Sequence, residues 1–329
     1  MTTNRIDALV EGLLHADSLS VARLISWAEN GDPRIAEVLR RVYPRTGAAY
    51  RLGITGPPGV GKSTLIARLA LRLRDAGERV AVVAVDPSSP FSGGALLGDR
   101  YRMVEITEDP RIFMRSMASR GSQGGLGGAT AEALDLLDAA GFSFLLVETV
   151  GVGQVEIDIV QATDTVAVVL VPESGDGIQA MKAGLMEIGD LFVVNKADRE
   201  GAERVVQDLE SMLDLRPGRD GWRAEVVKTV APRGDGLDGL IEAVGRHRAH
   251  LERSGLLAER RRRILRLRLL GEARQALLDR LENGEGEDLE NLLDRVASRE
   301  VTPHDAARGM VSRLAGAAGE PPVRPAGRA

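Results

Sequence analysis

The sequence predicts an α/β fold with a doubly wound, mostly parallel sheet, preceded by a helical N-terminal region and followed by a helical C-terminal arm. Three observations predict it. Apolar runs at 80–85, 142–147, 165–171 and 191–194 are short, β-branched and continuous, as strands buried on both faces are. Helix-periodic stretches at 62–76, 129–140 and 202–213 fall between them and make repeated β-α units. A glycine-rich turn from Gly56 to Lys62 joins a first short strand, 50–55, to the first of those helices.

In chain order, residues 1–48 read as short amphipathic helices. Their apolar positions are Ile6, Leu9, Leu13 and Leu14, then Leu19, Val21, Leu24, Ile25 and Trp27, then Ile35, Val38, Leu39 and Val42. Residues 49–254 carry the alternating strand and helix signals, including a strand-like run at 224–227. From Gly255 the pattern changes to an Arg-rich helix at 256–283, then helices at 289–297 and 303–314, with no strand signal. Ile264, Leu267, Leu270, Leu277, Leu278 and Leu281 recur at helical spacing. An arm of this length, 255–315, has no core of its own in which to bury that stripe, so a second copy of the chain is the expected cover. The alternating arginines from Arg260 onward also fit a basic surface for an acidic partner. The last stretch, 316–329, is rich in Pro, Gly and Ala and is expected to be disordered.

Composition narrows the function classes. The chain has 329 residues and is 43% hydrophobic, enough for a sizeable core and about two domains. No run approaches the roughly 18 apolar residues of a membrane helix. Arg5, Asp7 and Glu11 interrupt the N-terminal apolar residues, so no secretory signal is read there, and a cytoplasmic protein is expected. The absence of cysteine removes disulfides, thiolate nucleophiles and thiolate metal sites. A net charge of −5 with 3% aromatics supplies neither a basic field nor stacking platforms for nucleic acid. Lysine occurs only at 62, 182, 196 and 228, where arginine supplies nearly all other positive charge; it marks places that need a compact charge or a flexible stem.

The segment Gly56-Pro57-Pro58-Gly59-Val60-Gly61-Lys62-Ser63-Thr64 matches the phosphate-binding loop in residues and in its strand-turn-helix context. Such a turn aims successive backbone N–H groups and a helix dipole at one point, where a di- or triphosphate sits. Lys62 is expected to reach the β and γ phosphates and the Ser63 hydroxyl to hold Mg²⁺. By itself the loop does not separate ATP from GTP.

Asn195-Lys196-Ala197-Asp198 ends the strand 191–194, and ligands of an open α/β sheet lie beyond the carboxyl ends of its strands. A carboxylate at Asp198 accepts from the two donors on guanine's Watson–Crick edge, whereas adenine would meet it with a ring-nitrogen lone pair. The expected nucleotide is therefore GTP or GDP. The stem of Lys196 covers the base and Asn195 braces the loop. Thr229-Val230-Ala231-Pro232, after the strand-like run 224–227, is a weaker candidate for a backbone contact to the guanine carbonyl.

Glu148-Thr149-Val150-Gly151 closes the run 142–147, where nucleotide switches carry an acid that senses Mg²⁺ and a glycine N–H that senses the γ-phosphate. The residue after Gly151 is Val152, so the water-orienting glutamine of Ras-like switches is missing from its usual place. Gln154 stands either as its substitute or as a polar helix-start residue. Intrinsic hydrolysis is expected to be slow and partner-sensitive. Asp86, at the end of the strand 80–85, and Asp99 are further candidates for Mg²⁺ or its waters, Asp86 alternatively as a turn cap before Pro87.

The blocks Gly56 to Thr64, Val85 to Ser89, Gly98 to Arg100, Arg115 to Gly121, Glu148 to Gln154 and Asn195 to Asp198 resemble the MeaB/ArgK/MMAA family over nearly the whole chain. The resemblance implies a P-loop GTPase that serves as chaperone for adenosylcobalamin-dependent methylmalonyl-CoA mutase. Family members gate cofactor loading from cobalamin adenosyltransferase, protect or rescue the mutase, and form homodimers through C-terminal helical arms. The family's third mobile loop corresponds to Glu173 to Lys182, where Gln179 and Lys182 relay the partner's presence. Pro90-Phe91 departs from the more polar family pattern. Two other readings stand beside this one: an ATP-dependent kinase linked to basic amino-acid transport, and a nickel-type metallochaperone GTPase. The last has only His15, His247, His250 and His304 to offer, and His247 with His250 reads as a solvated helix end.

Overall fold

The computed structural model describes residues 2–86, 106, 109, 111–118, 128–149, 158–172, 184–215, 218, 220–282 and 289–317, with the side chains of 2–4, 86, 118, 282 and 313–317 excepted. These residues form two compact units, 1–265 and 266–329.

The first unit is built on a seven-stranded sheet in the order β3-β2-β4-β1-β5-β6-β7. The strands are β1 (Tyr50–Thr55), β2 (Val80–Asp86), β3 (Ile112–Ala118), β4 (Phe144–Thr149), β5 (Thr165–Leu170), β6 (Leu191–Asn195) and β7 (Glu225–Thr229). Every pairing is parallel. The central strands β1, β4, β5 and β6 are buried on nearly every residue, which is why their sequences run apolar without alternation.

Helices cover both faces. On one, α4 (Lys62–Asp75) and α8 (Leu237–Arg253) pack Leu65, Leu69, Leu240 and Val244 against Leu52, Ile54, Val82, Val169 and Val193. On the other, α5 (Gly128–Ala139) lies under β2 and β4, the short α6 (Met186–Ile188) adds Met186 and Ile188, and α7 (Ala202–Asp214) lies under β5 and β6 through Leu209 and Leu213. Successive strand residues alternate between these cores: Leu191 and Val193 face one, Phe192 and Val194 the other.

The N-terminal helices α1 (Thr2–Leu14), α2 (Ser18–Glu29) and α3 (Ile35–Val42) share a core with α5 and the sheet rather than enclosing one of their own: Leu13, Leu24, Ile25 and Val38 cluster with Leu134, Leu137, Val83 and Val147. Asp17 caps α2 by accepting from the Ser20 N–H at 2.8 Å. The edge strand β3 escapes the apolar-run signal because Arg115 and Ser116 interrupt it. The Arg115 guanidinium is spent on Ser26 Oγ, at 2.9 Å, and on Glu29 of α2.

The amino ends of β1, β5 and β6 hold a buried ionic network. The helix α9 (Leu256–Glu282) begins there, with Arg260 donating to both oxygens of Asp190 at 2.8 and 3.0 Å and to the Asp164 carbonyl at 2.7 Å. Arg261 grips Asp164 and the carbonyls of Gly47 and Ala49. His247 bonds Thr165 Oγ1 through Nδ1 at 2.7 Å, His250 bonds the Asp220 carbonyl at 3.0 Å, and both rings pack on Trp222. His247 is fully buried, so this pair is not the solvated helix end its sequence spacing suggests: the indole of Trp222 packs on its ring and Asp190 stands 3.6 Å from its Nε2.

In the second unit α10 (Leu289–Ala297) and α11 (Pro303–Ala317) bury Leu292 and Ala306. Leu267, Leu269, Leu270 and Leu278 of α9, with Leu293 and Val311, stand exposed. No helix among the described residues is long and apolar enough to cross a membrane.

Candidate active site

Because all strands run the same way, the carboxyl ends of β1, β4, β5, β6 and β7 line one edge of the sheet, and the loops leaving them converge there. Gly56 leaves β1 at φ +139°, and a Cβ on it would stand 2.2 Å from the Val169 carbonyl oxygen of β5. No side chain fits, so the chain turns tightly over the neighbouring strand. Gly61 caps α4 at φ +92° and has no side chain to spend on the helix's first N–H groups, which leaves them directed at an anion. Between these glycines Val60 is buried and Pro58 and Gly59 are exposed. The Lys62 ammonium lies across the loop, donating to the Gly56 carbonyl at 2.6 Å and the Pro57 carbonyl at 3.0 Å.

The second loop is stitched to the first. Asn195, the last residue of β6, donates from Nδ2 to the Val60 carbonyl at 2.8 Å. Its Oδ1 accepts from Thr229 Oγ1 and from the Ala231 N–H, both at 3.1 Å. The Val60 carbonyl can only accept and the Ala231 N–H only donate, so these partners fix the amide's orientation. One buried side chain thus joins the phosphate loop, the end of β6 and the turn after β7. Lys196 adopts φ +56°, an uncommon conformation for a residue with a side chain, and its ammonium bonds the Gly59 carbonyl at 2.9 Å. Its stem therefore runs from one loop to the other. Asp198 lies two residues on, exposed.

Val230, Ala231 and Pro232 are at the same place, yet their backbone donors are already engaged. The Val230 N–H goes to the Asp235 carbonyl at 3.0 Å, the Ala231 N–H goes to Asn195, and Pro232 has none. Of the three, Ala231 is the one that bonds Asn195.

At the phosphate end Ser63 Oγ donates to Glu148 Oε1 at 2.8 Å, with Glu148 buried on β4. A serine hydroxyl beside a carboxylate is a pair of hard oxygen donors of the kind Mg²⁺ takes. Beside it Thr149 Oγ1 donates to Thr55 Oγ1 at 2.9 Å, tying β4 to β1. Asp86 follows Val85, which pairs with Thr149, so the backbone of Asp86 ends β2 at this same edge. The Asp86 side chain, Asp99, Gly151, Gln154, Gln179 and Lys182 lie outside the described residues.

Lys62, Ser63, Glu148, Asn195, Lys196 and Asp198, drawn from three separate segments of the chain, therefore gather at the carboxyl edge of the sheet. Sequence reading passed over Arg233, which follows Pro232 in the turn after β7 and lies 3.5 Å from Asp198; nothing in its local sequence marks it.

The profile of the family described as methylmalonyl Co-A mutase-associated GTPase MeaB matches residues 21–285. A protein of Pyrococcus abyssi classed as a GTPase is 46% identical over 315 residues, covering 94% of this chain and 97% of its own. The mouse mitochondrial protein named methylmalonic aciduria type A homolog is 34% identical, over 78% of this chain and 66% of its own. A crystal structure described as a LAO/AO transport system kinase superposes with a TM-score of 0.71 at 27% identity, covering 94% of this chain and 97% of that one.

Proposed function

The chain belongs to the family of methylmalonyl-CoA mutase-associated GTPases and is a GTP hydrolase, and from that premise we propose that it acts as the GTP-driven chaperone of an adenosylcobalamin-dependent acyl-CoA mutase, gating cofactor loading and protecting or reactivating the mutase. The observation that carries the nucleotide part is the bridge made by Asn195, which brings the residues that grip phosphate within one side chain's reach of those that read the base.

In this reading Gly56 to Thr64 wrap the phosphates with backbone N–H groups, and Lys62 swings from the loop carbonyls to the β and γ phosphates. Ser63 and Glu148, with Asp86 and Asp99, would hold Mg²⁺, which would neutralise phosphate charge there. Gly151 senses the γ-phosphate and Gln154 orients water. Asp198 reads the two guanine donors while the Lys196 stem covers the base. Gln179 and Lys182 carry the mutase's presence to the nucleotide. The exposed leucines of α9 and α10, with Val311 of α11, are the surface through which two copies join, and cobalamin adenosyltransferase hands over the cofactor.

The mutase reading rests on the family and on the mouse relative, whose name ties it to methylmalonic aciduria. The kinase reading takes its support from the superposed transport-system kinase and requires ATP. Asp198→Asn separates them: reversing one donor–acceptor pair should transfer preference from GTP to XTP, and unchanged GTP affinity in that variant removes the base assignment. Capture of a cobalamin-dependent mutase by the protein loaded with a nonhydrolysable GTP analogue, but not by the nucleotide-free protein, tests the partner. Failure with methylmalonyl-CoA mutase and its close relatives alike removes the chaperone reading and leaves the hydrolase intact.

A further inference from the structure

Beside the base-reading carboxylate stands a cation that the nucleotide motifs do not call for. The Arg233 guanidinium lies with Nη1 3.5 Å from Asp198 Oδ2, and its Nε donates to Asp235 Oδ2 at 2.8 Å. Arg233 ends the short 3₁₀ turn Ala231–Arg233, which carries Pro232 in its first positions. The turn is closed by the Val230 N–H on the Asp235 carbonyl and by the N–H groups of Arg233 and Gly234 on the Val230 carbonyl, at 3.0 to 3.1 Å. Gly236 seals it at φ +78°, where a Cβ would stand 2.0 Å from the Lys228 carbonyl oxygen. The base of the arginine is thus fixed by backbone geometry, and its guanidinium is steered by Asp235.

We propose that Arg233 is a positioning residue for guanine recognition: braced by Asp235, it holds the Asp198 carboxylate in the orientation that meets the base. The distances give the sign. At 3.5 Å the contact is an electrostatic attraction rather than a hydrogen bond, so it restrains the carboxylate without consuming a lone pair. Among the described residues no group donates a hydrogen bond to Asp198 and no other cation stands within salt-bridge distance of it, so its acceptor sites are left for guanine's two donors. An exposed aspartate without that neighbour would have to give up its rotamer freedom when guanine arrives, and binding would weaken.

This inference rests on the assignment of Asp198 to the guanine edge, and the experiment separates the two. Affinities for GDP and for IDP, whose base lacks the 2-amino donor, are measured for the parent, Arg233→Ala, Asp198→Ala and the double variant, with Arg233→Lys as the charge-conserving control. An exposed ion pair of this kind carries about two- to fivefold in affinity, and that is the loss expected for GDP in Arg233→Ala. The loss should be smaller for IDP, absent in the Asp198→Ala background, largely restored by Arg233→Lys, and reduced at high salt. GDP binding in Arg233→Ala equal to or tighter than the parent, or an equal loss with Asp198 removed, overturns the positioning role while leaving the base assignment standing. An Asp198→Ala variant that binds GDP as the parent does removes the base assignment and this inference with it.

Discussion

Asn195→Ala should damage stability and nucleotide binding together, because one amide serves both. The side chain makes three hydrogen bonds, to the Val60 carbonyl, Thr229 Oγ1 and the Ala231 N–H, and all three partners belong to residues at most 1% exposed. Each bond contributes about 0.5–1.5 kcal/mol net, and the partners left behind have no water to turn to, so the expected loss is about 2–4 kcal/mol. Against the roughly 5–15 kcal/mol of a typical domain the fold survives with a clearly shifted urea midpoint. Without the amide the direct hydrogen-bonded link between the phosphate loop and the turn after β7 is lost, so GDP affinity should fall by at least about tenfold, since ångström-scale misplacement of binding groups is costly. Asn195→Asp keeps the acceptor but turns a carboxylate oxygen toward the Val60 carbonyl, and should lie between parent and alanine variant in stability. Gly61→Ala should act through the same residue, because its new Cβ would stand 2.6 Å from Asn195 Nδ2, which its three bonds prevent from yielding. Equilibrium urea unfolding followed by circular dichroism, with calorimetric GDP binding on the same samples, measures both effects. A loss below about 1 kcal/mol in Asn195→Ala with GDP affinity within about twofold of the parent would refute the bridging role.

Lys62→Ala should reduce GTP hydrolysis by orders of magnitude while the far-UV spectrum stays native, since the ammonium lies on the Gly56 and Pro57 carbonyls of the loop and contributes its charge to the phosphates; single-turnover phosphate release reads this. Arg260→Met leaves the buried Asp190 carboxylate without its bidentate partner and should cost about 3–5 kcal/mol in urea unfolding, with Arg260→Met/Asp190→Asn recovering part of it; parent-like stability in the single variant would contradict the network. Asp32 is held down to about 2 by hydrogen bonds from the Arg34 side chain and N–H. The unfolded chain protonates it first, so the stability it supplies is present in full above about pH 5 and is lost as the pH falls through about 2. Asp32→Asn should therefore be less stable than the parent at neutral pH, and the gap in unfolding midpoint should close on acidification.

Much of the fold is legible in the sequence, and the reason is local. The runs that became β2, β4, β5 and β6 are continuous and apolar because parallel strands are covered on both faces, and that requirement is met residue by residue along one stretch of chain. The phosphate loop was legible for the same reason: Gly56, Gly59 and Gly61 sit at positive φ, a demand their own positions state. The strand β3 was illegible because its Arg115 finds its partners on α2, 89 positions away at Ser26. The burial of His247 was illegible because a helical i, i+3 pair looks alike whether solvent or Trp222 lies over it.

Residue type and spacing were sufficient to specify the nucleotide chemistry, since each loop carries its own backbone needs and donor set in a handful of adjacent positions. They did not specify that Asn195 would find Val60 across 135 positions, that Arg233 would come to rest beside Asp198, or that Arg260 would complete a buried charge network under the sheet. Those partnerships depend on strand order and register, which set side chains next to each other through many weak contacts summed over the whole core. No short window of sequence contains that sum.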